Sequence, residues 1–363
     1  MASPETPALS DEVFLDKIHG CLLGLAIGDA IAMPGLCTHE LTIAVHGTEI
    51  TGFTDASPDE SVDPVHAKLP AGMGTDDSYA ATTIVRHLSR RRRLTVPVIV
   101  DAYVDWIGHT DRLCADLGRS RGFAGPNTRK AMDRILAGGD PRETGSTGTT
   151  SGAAMRIAPF GFLFPGDFGR TVDAVEISCI PTHNTGVAIA GASAVACAVS
   201  AIATGVTDLD EVIDAAVAGA ELGISRGRPY TAPSVARRIV MAQEIARSGR
   251  DLGEVRRDLY DLVGTGMESH EVVPSALALL RLAEGDLKQA TLYAANAGGD
   301  CDTMGAIAGA IAGARCGRSG IADEDSELIE SVNGFDLSTV SRQFLDAVNE
   351  TWGRSASPVS MGP

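Results

Sequence analysis

The chain has 363 residues, 44% of them apolar and only 4% aromatic, with 30 Lys and Arg against 47 Asp and Glu for a formal charge of −17. That acidic balance argues against a nucleic-acid or anionic-membrane partner, because both require a basic footprint. Ala and Gly are in excess, which points to closely packed helices with small side chains at their contacts.

The N-terminal "MASPETPALSDEVF" has neither a basic n-region nor an apolar h-region, so no signal peptide is visible in it. Helical periodicity then recurs at 12–28, 77–89, 95–108, 127–137, 171–179, 185–203, 208–222, 232–247, 252–263, 274–283, 286–295, 303–315 and 338–351. Gly- and Pro-rich breaks fall at 31–74, 138–155, 223–231 and 264–273, and alternating strand patterns of useful length are hard to find. These patterns predict a mostly helical single domain over residues 10–353, with a disordered tail at 354–363.

Several segments are read structurally. Arg90 to Arg93 follow an apolar run and suit a helix C-terminus, whose dipole favours cations. The uncharged stretch from Asn184 to Thr207 is rich in Ala, Gly and Ser and lacks flanking Lys or Arg, so it is read as a buried helix and not a membrane span. Seven scattered cysteines without a CxxC pair fit a reducing, cytoplasmic setting better than a disulfide framework or a zinc site. Cys301 is read as a small packing residue.

Two helices carry a glycine every fourth position: Gly20, Gly24 and Gly28 early, and Gly305, Gly309 and Gly313 late. Each interior Gly costs about 0.5–1 kcal/mol relative to Ala, so two such stripes call for close backbone approach. The first stripe ends at Asp29 and the second begins just after Asp300 and Asp302. If the two helices pack antiparallel, those carboxylates meet at one end.

Two acidic clusters follow one grammar. Thr75, Asp76 and Asp77 in "GMGTDDS", and Asp300, Asp302 and Thr303 in "GGDCDTMG", each pair aspartates with a threonine where a glycine turn enters a helix. Asp77 and Asp302 are candidate N-caps, but one cap needs only one carboxylate and adjacent carboxylates repel. Four carboxylates and two hydroxyls are hard oxygen donors of the kind Mg²⁺ prefers, and the scarcity of His, Cys and Glu nearby argues against zinc. The residues themselves leave two readings open: a divalent-metal site, or two independent caps. The loop "GSTGTTSGAAMR" at 145–156 is either a solvated loop or an anion nest of backbone amides. His183, in "PTHNT", stands just before the small-residue helix and is read as a helix-cap participant.

Taken together, "GCLLGLAIGDAIAMP" (20–34), "GMGTDDS" (72–78), "GPNTRKAM" (125–132), "GSTGTTSGAAMRIAPFG" (145–161), "PTHNT" (181–185) and "GGDCDTMGAIAGAIAGA" (298–314) resemble, in order, the ADP-ribosylglycohydrolase family, of the dinitrogenase-reductase-activating and ADP-ribosylarginine hydrolase type. The resemblance implies an all-α, compact single-domain orthogonal helical bundle with a binuclear metal centre, holding two Mg²⁺ ions, or Mn²⁺ in some members. Thr75, Asp76, Asp77, Asp300, Asp302 and Thr303 match the family's metal ligands. Gly148, Thr149, Thr150, Ser151 and Gly152 would face a diphosphate, with His183 and Asn184 lining the ribose and adenine side. The implied reaction is hydrolysis of the bond between ADP-ribose and a protein side chain or small acceptor, with Asp76, Asp77 and Asp302 as candidate catalytic carboxylates.

The sequence departs from that pattern at two places. A glutamate is usual seven residues after the first-motif aspartate; here that position is Leu36, with Glu40 one helical turn later. Ser151 stands where an asparagine often precedes "GAAMR". The Leu36 departure motivates an alternative substrate, another N-ribosyl compound such as a nucleoside-like metabolite. A non-catalytic ADP-ribose-binding or structural relative is the third reading, disfavoured by the six retained ligand positions.

Overall fold

The computed structural model describes residues 9–119 and 122–353; the tail at 354–363 lies outside them. The helices in chain order are α1 Asp11–Ala32, α2 His39–His46, α3 Asp76–Arg91, α4 Val96–Asp116, α5 Pro126–Leu136, α6 Pro141–Thr144, α7 Phe168–Cys179, α8 Gly186–Ile202, α9 Leu209–Gly223, α10 Val235–Ala246, α11 Leu252–Asp258, α12 Ser269–Leu282, α13 Leu287–Ala295, α14 Cys301–Cys316, α15 Asp323–Asn333 and α16 Leu337–Ala347. Extended pairing among the described residues amounts to two isolated bridges, Thr150 with Glu268 and Thr185 with Arg228.

A main apolar core draws residues from Phe14 to Val348, with a second, smaller cluster of Met33, Ala56, Leu69, Met73, Cys114 and Phe123. The glycine stripes determine the centre of the main core. α1 and α14 form the most extensive helix pair, and they are antiparallel: a Cβ added at Gly20, Gly24 or Gly28 would collide with the carbonyl of Gly313, Gly309 or Gly305. Backbone thus packs directly on backbone. No other residue type fits at these contacts. α8 is buried at every position, as its small residues require, and no described helix is long and apolar enough to cross a membrane.

Sequence periodicity missed three helices. α2 lies inside the 31–74 break, where eight residues form a short helix between Thr38, whose hydroxyl accepts from Leu41 N, and Gly47 in the left-handed conformation. α6 is a single turn, and α15 is strongly acidic with few apolar positions. α12 begins five residues before its expected start, carrying Pro274 inside its second turn. The predicted 252–263 and 338–351 helices end in π-turns at Leu259–Val263 and Val348–Trp352. α3 ends at Arg91, with Arg90 and Arg91 in its last turn as the helix dipole favours.

Candidate metal centre

The antiparallel α1–α14 pair brings the C-terminal end of α1 to the N-terminal end of α14, and α3 starts beside both. An oxygen from each of Asp29, Asp77 and Asp302 lies within 4.8 Å of the others, all three residues being buried. Asp76 and Asp300, which are half-buried, stand close enough for their charge to raise Asp77 further.

The capping explanation fails at both clusters. Ser10, Thr38, Asp208, Asp251 and Asp286 each accept from the first turn of their own helix. Thr75 and Asp300 hold the corresponding positions of α3 and α14, yet neither side chain caps its helix. Asp77 and Asp302, the expected caps, lie inside the helices instead. For α3 the cap comes from another helix: Asp29 accepts from Thr75 N at 2.8 Å, Ser78 N at 3.1 Å, Thr75 Oγ1 at 2.9 Å and the Ser78 hydroxyl. Four hydrogen bonds use the lone pairs that a carboxylate offers. Asp29 therefore braces α3, and the acidic side chains of α3 are released from that duty.

The released groups point inward without enough donors. Asp77 Oδ1 is buried with no hydrogen-bond partner. Thr75 Oγ1 lies 3.2 Å from Asp77 Oδ2 and 3.5 Å from Asp302 Oδ2, but its single proton serves Asp29 at the shortest distance. Burial and then mutual repulsion raise the carboxyls: Asp29 to about 6, with the Asp302 charge as second cause, and Asp76 to about 7, through Asp302 and Asp29. Asp77 and Asp300 are pushed well above the ordinary range for the same reasons. A buried set of oxygen donors with an orphaned carboxylate atom and a hydroxyl facing it fits a hard divalent cation.

His66 was not anticipated from the sequence. It lies in the long break before α3, where Asp63 Oδ1 accepts from Val65 N and His66 N and the Arg119 guanidinium donates to the carbonyls of Val65 and Ala67. Its Nε2 stands 3.3 Å from Asp302 Oδ2. Burial alone would lower this imidazole, but Asp302, Asp63 and Asp76 overcome it and hold it at about 9. Burial would likewise raise Asp302; the His66 charge and hydrogen bond bring it below its ordinary value. Asp29, for its part, is placed by the glycine stripes beside Asp300 and Asp302, but nothing in the sequence marks it as the brace of α3.

The 145–156 loop reaches the cluster. Ser151 Oγ donates to Asp300 Oδ2 at 2.9 Å, and Ser151 N donates to Met267 O at 2.7 Å. Thr149 O accepts from Ser269 N, and Gly148 O accepts from Thr185 Oγ1. Thr150 Oγ1 lies 3.0 Å from His183 Nε2, and a Cβ at Gly152 would stand 2.8 Å from the same ring. Asn184 is oriented elsewhere: its backbone pairs with Gly145 and Arg228, and its side chain lies against Gly227. Thr303 is buried in the first turn of α14.

The Leu36 side chain is buried, and its carbonyl accepts from Gly299 N at 3.1 Å and from the Cys301 thiol. Cys301 packs under this turn, as expected for a small residue. Glu40 is exposed on α2. Asp300 N donates to Thr265 O at 2.7 Å, and beyond Thr265 and Gly299 opens a cavity of about 450 Å³ also lined by Cys37, Tyr260 and Glu271.

Comparison with known proteins gives the family and the fold. The family model described as ADP-ribosylglycohydrolase matches residues 10–354. An uncharacterised Escherichia coli protein is 30% identical over 324 residues, covering 89% of this chain and 94% of that one. An ADP-ribosylarginine hydrolase of Pseudomonas putida is 26% identical, covering 87% and 75%, and a Bos taurus ADP-ribosylhydrolase is 23% identical, covering 92% and 93%. A solved ADP-ribosylglycohydrolase-related protein complex shares the fold, with a TM-score of 0.64 at 20% identity over 93% of this chain and 99% of that one. The chain belongs to the ADP-ribosylglycohydrolase family.

Proposed function

We propose that this family member is a metal-dependent hydrolase of the bond between ADP-ribose and a protein side chain or small acceptor. The observation that carries the reading is the buried carboxylate cluster that caps neither of its own helices and is short of hydrogen-bond donors, with Asp77 Oδ1 buried and unpartnered. Thr75, Asp76, Asp77, Asp300, Asp302 and Thr303 would hold two Mg²⁺, or Mn²⁺, ions. When bound, such ions supply Lewis-acid charge for sugar hydroxyls and for water.

The protein's own groups divide the remaining tasks. The bond from the anomeric carbon to the acceptor breaks and a water oxygen takes its place. One water proton stays on the new ribose hydroxyl, and the other passes to a carboxylate and from there to the leaving acceptor. Of Asp76, Asp77 and Asp302, Asp76 is the least buried and so the best placed to receive that proton. Residues 148–152 and His183 orient the diphosphate and ribose, and Ser151 couples that loop to Asp300.

Leu36 favours a second reading within the same chemistry. An apolar side chain in place of the usual carboxylate, next to the cavity at Cys37 and Tyr260, suits a leaving group less polar than an arginine side chain, including a nucleoside-like base. Incubation with ADP-ribosyl-arginine and ADP-ribosyl-serine peptides and with free nucleosides, each in Mg²⁺ and in EDTA, decides between them. Metal-dependent release of ADP-ribose supports the first, faster nucleoside cleavage the second, and no metal-dependent cleavage of any of them defeats both.

A further inference from the structure

Arg156 is fully buried, yet among the described residues no carboxylate pairs with it. Its guanidinium lies 4.5 Å from the Tyr103 ring centroid and 5.8 Å from that of Trp106, which supply cation–π stabilisation. Its Nε and Nη1 have no hydrogen-bond partner, and only Nη2 is engaged, donating to Thr182 Oγ1 at 2.9 Å. A buried charge held this way is expensive. An apolar side chain of similar volume would pack as well on two aromatic rings, so the donor at Nη2 requires its own reason.

That reason follows from counting protons along the chain of contacts. A guanidinium can only donate, so Thr182 Oγ1 accepts from it. Among the described residues the only other partner of Thr182 Oγ1 is His183 Nδ1 at 2.9 Å. If Nδ1 carried a proton, Thr182 Oγ1 would accept twice and its own buried proton would have no partner among the described residues. The arrangement that satisfies every group sends the Thr182 proton to a bare Nδ1. A neutral imidazole then carries its proton on Nε2 and donates it to Thr150 Oγ1 at 3.0 Å. Burial, and next the Arg156 charge, lower the His183 pKa well below the ordinary value, which keeps the ring neutral. Thr150 Oγ1 also accepts from Asn127 Nδ2 at 3.2 Å, so both its lone pairs are occupied.

We infer that Arg156, Thr182 and His183 form a one-way hydrogen-bond relay that fixes the His183 Nε2–H tautomer and leaves the Thr150 hydroxyl proton free to bind an anionic ligand oxygen. Arg156 and Thr182 are positioning residues, and Thr150 is the ligand contact. Each bond in such a series polarises the next, strengthening Thr150 as a donor. Thr150 is partly exposed and stands one residue before Ser151, which is bonded to Asp300, so an oxygen held there lies next to the acidic cluster. The identity of that oxygen as a phosphate of ADP-ribose rests on the function proposed above; the relay itself does not.

Long-range ¹H–¹⁵N spectra of the uniformly labelled full chain test the relay directly. The expected result is a His183 ring protonated at Nε2 and bare at Nδ1, unchanged from about pH 5 to about pH 8. Thr182→Val should shift the Nδ1 resonance while Arg156→Lys preserves it. A Nδ1–H tautomer in the wild type, or a Thr182→Val variant with an unmoved Nδ1 resonance, overturns the relay. Calorimetric titration with ADP-ribose in Mg²⁺ reads the contact: Thr150→Ser should bind as the wild type, and Thr150→Val should lose about tenfold or more. Equal affinity of the two variants removes Thr150 as the donor. If the wild type fails to bind ADP-ribose, the functional reading falls and the tautomer alone decides the relay.

Discussion

His66 Nε2 stands 3.3 Å from Asp302 Oδ2, making an imidazolium from a long loop the nearest counter-charge to a cluster built on three helices. Removing one partner of a buried pair leaves the other uncompensated, at about 3 kcal/mol. His66→Ala should therefore lower the thermal midpoint markedly in EDTA and much less in millimolar Mg²⁺, where a cation replaces the lost charge. Equal losses in the two buffers would mean that His66 only holds its loop together.

The pH dependence of the metal-free protein has a definite sign. Asp29 and Asp76, raised from 3.8 to about 6 and about 7, keep protons in the folded state that the unfolded chain releases. The folded state binds more protons over that window, so stability falls as pH rises from about 4 to about 7. These two groups make their full stabilising contribution below the unfolded value and lose it as pH passes their folded values. Thermal melts in EDTA should show the loss, and Mg²⁺ added above pH 7 should reverse most of it by replacing protons at the cluster.

Asp29 and Asp77 should respond oppositely to the same change. Asp29→Asn puts an amide donor against the donors of Thr75 and Ser78, and should cost about 2–4 kcal/mol with or without metal. Asp77→Asn removes a repelling, unpartnered carboxylate; it should leave the metal-free melt unchanged or raised and weaken divalent binding at least tenfold by calorimetry. A large stability loss at Asp77 in EDTA would assign it a bracing role instead.

Gly24→Ala places a methyl group against the Gly309 carbonyl, where no flexible side chain can yield. Separating the two helix backbones also displaces the cluster at their end. Denaturant titration should report a loss of about 3 kcal/mol or more, and the variant should bind Mg²⁺ weakly even where it remains folded.

How much of this was legible in the sequence varied with the physics. Antiparallel packing of α1 on α14 could be read because glycine at every fourth position has almost no other rationale in a helix, and the meeting of Asp29 with Asp302 followed from it. The two acidic clusters were visible because their composition exceeds what capping requires. The hand-over of the cap was not: nothing local to Thr75 announces that a carboxylate 46 residues earlier takes its place. His66 was hidden for the same reason, since an irregular loop has no periodicity from which to read direction. α2 and α15 were lost because one is only eight residues long and the other is mostly acidic, so neither carries a clear apolar stripe.

The glycine-to-glycine seam also sets when the site comes into being. Its halves are far apart in the sequence, so a growing chain that has exposed Asp29, Asp76 and Asp77 has no complete cluster until more than two hundred further residues have left the ribosome and α14 has docked. The carboxylates are therefore never crowded together in a partly made chain, where no seam exists to hold them. Assembly of the cluster waits for α14, and a chain released before it would lack Asp300 and Asp302.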